Sequence, residues 1–333
     1  MNFFLFSILA HRSRRPSLSL RNLFFFFRLS LSRGPLPQRP PPPALKPEQN
    51  TQGLGLELAR QLVLGGGGSG RFDAVIATCR DPSSATALAA LAAEAEAAKS
   101  SSSSASPLPR LTILPLDVTR ATTIDAAAAA LQSSHGRLDL LINASGILHG
   151  EAADPESGVS ERFMPETALA RITPAALAAC FAVNAAGPIL VARAFVPLLI
   201  AGGKAEEAKA KEAGQAPASS LPSVLASISA RVGSVSDNAT GGWYSYRASK
   251  TALNQLNKTL SVELARKRAP VSAILLHPGT CDTDLSKPFQ RNVPEGKLFS
   301  RERGAKQLLE IVGRATREDS GKFFAWDGQE VPW

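Results

Sequence analysis

The sequence predicts an α/β fold built on a doubly wound, mostly parallel sheet, and three observations carry that reading. From Ala74 onward, short apolar runs alternate with helical patterns as far as Trp326. Strands alternating with helices imply crossover connections and a parallel sheet covered on both faces. The strand candidates AVIATC (Ala74–Cys79), LTILPLDV (Leu111–Val118), LDLLINAS (Leu138–Ser145) and VSAILLH (Val271–His277) are apolar almost throughout. That is the pattern of strands buried on both sides, where no solvent face imposes alternation. At 333 residues, one large domain plus tails fits better than two independent domains.

The remaining elements fall between these runs. Ser83–Lys99, rich in Ala, Leu and Glu, reads as a helix, Ser100–Pro109 as a Ser/Pro linker and Thr122–Ser134 as a second helix. Thr173–Ile200 reads as one long helix that Thr173 can cap, with Pro174 suited to its first turn. Val224–Ser229 is a strand, Ser245–Arg268 and Arg301–Arg317 are helices, and Lys322–Trp326 is a final strand. Gly65–Gly70 and the charged, Ala-rich run Ala201–Ser220 read as mobile surface insertions that add no core.

The formal net charge of +9 is concentrated at one end. Seven arginines (Arg12, Arg14, Arg15, Arg21, Arg28, Arg33, Arg39) and Lys46 precede the first acid, Glu48, which leaves about +1 for the rest. A near-neutral body gives no electrostatic case for a nucleic-acid partner. Cys79, Cys180 and Cys281 lie about a hundred residues apart, so neither a zinc site nor a disulfide framework is indicated. Residues 1–47 are rich in Arg, Ser, Phe and Pro without an acid. This is the composition of an organelle transit peptide, with plastid the first choice and mitochondrion or cytoplasm the alternatives; a mispredicted N-terminus is the rival explanation. As a transit peptide the segment is expected to contribute nothing to the core of the domain at 48–333; the alternative is that Phe24–Phe27 supplies a missing first strand. Its apolar runs, Asn2–Ala10 and Leu23–Phe27, are too short to span a bilayer, so no membrane partner is expected.

Chemistry concentrates around Tyr246-Arg247-Ala248-Ser249-Lys250, at the start of a helical pattern. Residues four apart share one helix face, and an ammonium one turn from a phenol favours the phenolate, which makes the tyrosine a usable acid/base. Tyr244, the other tyrosine in the chain, has Ala248 four positions on. Gly53-Leu54-Gly55 opens a helical run, where bare backbone at a positive helix terminus suits a pyrophosphate. The strand that follows ends in Cys79-Arg80. In Rossmann-like dinucleotide folds an acid at that point holds the ribose 2′-hydroxyl, whereas an arginine accommodates a 2′-phosphate, so Arg80 points to NADP and makes NAD less expected. Asp117 and Asn143-Ala144-Ser145-Gly146 end the next two strands, at the carboxyl edge that faces a nucleotide crevice.

Together and in this order, these segments resemble the short-chain dehydrogenases/reductases from about Gly53 to the C-terminus. GLGLELARQL, ATCRDP, LDLLINASGIL, ISARVGSVSDN, GGWYSYRASKTALNQ and HPGTCDTDLSKPF are similar to the C-factor and Sniffer-like branch, and the ending FFAWDGQEVPW to plant and bacterial members. The resemblance implies an enzyme that moves a hydride between NADP and a small carbonyl or alcohol. It implies that Tyr246 is the general acid/base and that Lys250 binds the nicotinamide ribose and depresses the tyrosine pKa. Asn184 would hold a water in the proton relay; Asn143, Ala144 and Gly146 would line the cofactor ribose. Asp117 and Val118 would flank the adenine, and Pro278, Gly279 and Thr283 would meet the nicotinamide end. A homodimer or homotetramer is the expected assembly.

Two departures stand out. The family serine that hydrogen-bonds the substrate carbonyl is usually the second of a Ser-Ser pair, and that position is Ala230. The role therefore falls to Ser229, with Ser234 as the fallback. The family also begins with a strand leading directly into a glycine-rich loop, but here PPPPALKPEQNTQ precedes Gly53. Prolines cannot occupy a central strand, so the first strand is expected to be atypical or missing, with Leu23–Phe27 a distant candidate. These departures keep open a second reading, a catalytically weak relative acting as a binding or signalling module. The substrate itself is not legible; Thr283–Arg301 is the expected lid over it.

Overall fold

The computed structural model describes residues 7–11, 53–65, 72–101, 108–216 and 221–333. Along the chain run β1 (Ser7–His11), α1 (Leu54–Leu64), β2 (Ala74–Cys79), α2 (Thr86–Ser101), β3 (Arg110–Pro115) and α3 (Ala121–Ser134). Then come β4 (Leu140–Asn143), β5 (Gly150–Ala153), β6 (Ser160–Phe163), α4 (Pro174–Phe181) and α5 (Gly187–Glu212). The last part holds β7 (Ser223–Ile228), α6 (Tyr244–Arg266), β8 (Val271–His277), β9 (Thr280–Cys281), β10 (Leu298–Phe299), α7 (Arg301–Arg314) and β11 (Phe323–Ala325).

Seven strands form one sheet in the order β11-β8-β7-β4-β1-β2-β3. Neighbours in sequence pattern become opposites in space. Ile76, Leu141, Leu225 and Ala273 join the core under α3, α4 and α5, while Val75, Leu140, Val224 and Ile274 join the core under α1, α2 and α7. This two-sided burial is why the strands read as unbroken apolar runs.

The centre of the sheet is unusual. The strands β2 and β3 pair in parallel, as do β4, β7, β8 and β11, but β1 runs antiparallel to both of its neighbours. Ser7 stands opposite Asn143, and His11 opposite Ala74. The expectation that residues 1–47 take no part in the fold is therefore corrected. An open slot between β4 and β2 would leave two rows of backbone donors and acceptors unpaired in the middle of the sheet, and Ser7–His11 pairs with both. The other candidate, Leu23–Phe27, lies outside the described residues.

Two further expectations change. The charged run after Ile200 is not a loose insertion: α5 continues through it to Glu212. It does so because Gly202 and Gly203 let the helix close on backbone; a Cβ there would come within 2.0 Å of the Leu138 carbonyl and 2.1 Å of the Pro270 carbonyl. Arg137 to Glu206 at 3.0 Å and Arg317 to Glu207 at 2.7 Å pin the same stretch. The single helix expected at Thr173–Ile200 is two, α4 and α5, joined by a π turn at Ala182–Ala186; Thr173 caps α4 by accepting from the Ala176 N–H at 3.2 Å. The run Pro174–Glu212 is long and apolar enough to cross a membrane by length and composition, but 56% of that window is buried inside the fold.

Candidate active site

A cavity of about 480 Å³ opens at the carboxyl ends of β4, β7 and β8, between the start of α1 and one face of α6. Tyr246 and Lys250 line it from α6, and both are buried. The Lys250 ammonium donates to the Ile228 carbonyl at 2.8 Å and lies 5.8 Å from the centre of the Tyr246 ring. Burial pulls Lys250 down to about 8 and pushes the Tyr246 phenol well above its ordinary range. The expected depression of the tyrosine by its lysine neighbour does not appear in the protein alone, where desolvation of the phenolate is the leading effect.

Asn184 sits in the π turn, a helix irregularity common at functional sites. Its Oδ1 accepts from the Ile147 N–H at 2.8 Å, and its Nδ2 donates to the Ile147 carbonyl at 2.9 Å and to Ser249 Oγ at 3.0 Å. One fully buried side chain thus ties the loop after β4 to α6. Gly146 makes room in the same corner: a Cβ there would lie 3.4 Å from Lys250 Nζ and 3.6 Å from Asn184 Oδ1. Asn184, Tyr246 and Lys250 are therefore brought together as expected.

Ser229 is not presented in the same way. Its hydroxyl donates to Asn254 Oδ1 at 2.6 Å, and Asn254 in turn donates to the Gly233 carbonyl at 3.1 Å. A serine has one donor, and this one is committed to α6. Ser234 is turned into its own loop, where it accepts from the Asp237 N–H at 3.2 Å. Ser229 and Ala230 both reach the cavity wall, but the hydroxyl expected above Tyr246 has no evident source among them.

Gly53, Leu54 and Gly55 line the cavity where α1 begins. Gly53 at the N-cap position carries no side-chain cap, and a Cβ there would meet nothing within 4 Å. First-turn N–H groups beside open space suit a pyrophosphate. Ala144, Gly146, Pro278, Gly279 and Thr283 also line the cavity. Gly279 has φ +72, and a Cβ would stand 2.6 Å from the Phe299 ring, which packs edge-on against Trp326 at 4.8 Å. Asn143 is spent elsewhere, donating to the Pro188 carbonyl and Ser227 Oγ, each at 3.3 Å. Arg80, Asp117 and Val118 stand at the ends of β2 and β3, outside the cavity wall. The Asp117 carboxylate accepts from Thr119 N–H at 2.9 Å and Thr119 Oγ at 2.7 Å. Burial lowers the Arg80 guanidinium and the neighbouring Asp117 opposes that shift. The residues that line the cavity thus fit a dinucleotide.

Sequence reasoning missed part of the opposite wall. Trp243 and Phe289 line the cavity with their rings 4.9 Å apart, and Trp243 lies 6.3 Å edge-on from Tyr246. Phe289 belongs to the expected lid, whose Asp284 carbonyl also meets His149 at 3.2 Å. The available signal was Gly241-Gly242 just before Trp243, since all three adopt positive φ. Glu166, buried 79 positions upstream of Ser245, had no signal at all.

Comparison with known proteins gives the family. The short chain dehydrogenase family profile matches residues 50–208 and 226–294. The chain belongs to the short-chain dehydrogenase family. It is 31% identical to C-signal of Myxococcus xanthus over 198 residues, 60% of this chain and 94% of that one. It is 28% identical over 225 residues to 1-hydroxy-2-glutathionyl-2-methyl-3-butene dehydrogenase of Rhodococcus sp. (strain AD45), covering 67% of this chain and 81% of the other. The solved NADPH-bound carbonyl reductase from chicken fatty liver superimposes with a TM-score of 0.64 at 26% identity, over 84% of this chain and 95% of its own. The carbonyl reductase Sniffer of D. melanogaster has the same fold, with a TM-score of 0.64 at 24% identity, over 84% and 95%. As a short-chain dehydrogenase, the protein is an oxidoreductase of the Rossmann-like class.

Proposed function

We propose that this short-chain dehydrogenase is an NADP-dependent carbonyl reductase or alcohol dehydrogenase. The observation that carries the reading is the buried corner where Tyr246, Lys250 and Gly146 line the cavity with Asn184 packed beside them. NADPH, when bound, supplies the hydride for the substrate carbon. Tyr246 holds the proton that goes to the carbonyl oxygen, and Lys250 binds the nicotinamide ribose and keeps a positive charge beside the phenol. The first turn of α1 takes the pyrophosphate, and Arg80 takes the 2′-phosphate. The NADPH bound by the chicken carbonyl reductase supports the cofactor choice.

Ala230 favours a second reading, a slow relative whose main role is binding. Losing one donor to a developing alkoxide costs about 10²–10³-fold in rate if nothing replaces it. NADPH consumption by the full chain, followed with a panel of aldehydes and ketones and with NADH in parallel, decides between them. Turnover with NADPH preferred is expected, and Arg80→Asp should erase that preference. Tyr246→Phe should remove about 10²–10⁴-fold of the rate while cofactor fluorescence titration stays nearly unchanged. No turnover on any carbonyl, or Tyr246→Phe retaining above about a tenth of the rate, would overturn the reductase reading.

A further inference from the structure

We propose that Glu166 is a positioning residue for the Tyr246–Lys250 face: it caps α6 from a distant loop and holds the residue before that helix in left-handed backbone. A helix leaves its first N–H groups without intrahelical partners, and Ser, Thr, Asp or Asn at the N-cap position usually satisfies one of them. In α6 that position is Trp243, which has φ 52 and makes no side-chain cap. Glu166 does the work instead. Its Oε1 accepts from the Ser245 N–H at 3.3 Å and also from the Ser245 hydroxyl, while its backbone carbonyl accepts from the Trp243 N–H. One residue between β6 and α4 therefore holds both sides of the helix start.

Glu166 is only 3% exposed. Burying a carboxylate without a cation is costly, and the positive end of a helix is one of the few environments that offsets it. An apolar side chain could fill the same space without that cost. What the carboxylate adds is a fixed first turn, and Tyr246 is the third residue of that turn. Trp243 would also relax if released, because a non-glycine residue with positive φ is held there only by its surroundings. Its ring touches both Tyr246 and Phe289, so relaxation would be felt at the phenol and at the lid.

The inference rests on the reductase reading, and two measurements on the full chain separate their fates. In Glu166→Ala, amide exchange should quicken across residues 243–250 and not in β7 or β8, and kcat should fall by up to about a hundredfold, the scale of a 1 Å misplacement. KM should stay nearly constant, and Glu166→Gln, which keeps the acceptor oxygen, should restore much of kcat. If Glu166→Ala folds poorly, Glu166→Gln carries the comparison through a smaller loss of kcat. A lowered melting temperature with unchanged kcat per folded molecule would overturn the proposal, because Glu166 would then be purely structural. Unchanged exchange at 243–250 would overturn it as well. A wild-type chain that binds NADPH and reduces nothing would refute the reductase reading; faster exchange confined to 243–250 would still support the cap.

Discussion

Lys250 governs how the site responds to pH. With its ammonium pulled down to about 8, the charge is present at neutral pH and is lost as pH rises through that value. NADPH affinity is therefore expected to hold near neutrality and fall above about pH 8, whereas Lys250→Met should bind weakly at every pH. The unfolded chain keeps that proton to about 10.5, so between about 8 and 10.5 it binds more protons than the folded chain. In that window the contribution of Lys250 to stability rises with pH while cofactor binding falls. Fluorescence titrations across pH test this, and a wild-type affinity unchanged through the window would contradict it. At this scale the sequence was informative where partners are close along the chain. Tyr246 and Lys250 share a face by helical spacing alone, and Gly53 and Gly146 both line the cavity. It was uninformative where the partner is remote: Ser229 is claimed by Asn254, 25 positions on, and Ser245 by Glu166.

Among the elements, α5 shows how a low-complexity run can mislead. Ala201–Glu212 is charged and poor in large apolar residues, so composition reads it as solvated. Helical phase nevertheless turns Gly202, Gly203 and Ala210 inward, and the glycines let the helix meet two carbonyl oxygens directly. Gly202→Ala should thus destabilise the protein by about 1–3 kcal/mol or more, since the obstructing atom is backbone and cannot swing aside. Urea unfolding measures this; a midpoint equal to wild type would show that the helix does not close on Leu138. The β5–β6 hairpin escaped notice for a different reason. Its strands, GEAA and SERF, are short and polar and pair only with each other, so no apolar run marks them.

At the scale of the whole molecule, the fold class was legible because strand–helix alternation forces parallel crossovers. The central strand was not, because it comes from a short run more than 40 residues before Gly53 whose pairing partners and direction nothing in the sequence fixes. Composition still favours a plastid-import role for residues 1–47, which we retain as a proposal, but that role and β1 lay claim to the same segment. Deleting residues 1–47 should expose the facing edges of β4 and β2. It should consume much of a typical stability of about 5–15 kcal/mol, seen as aggregation or a lost unfolding transition. A truncated protein as soluble and as cofactor-competent as the full chain would show that β1 is dispensable.

Because β1 is held by backbone ladders on both sides, its place in the sheet could be filled by a strand of the same sequence supplied separately. A synthetic peptide containing Ser7–His11, present in trans while the 48–333 fragment refolds, is expected to enter antiparallel to both β4 and β2. Recovery of NADPH binding on addition of the peptide would report the joining of the two pieces.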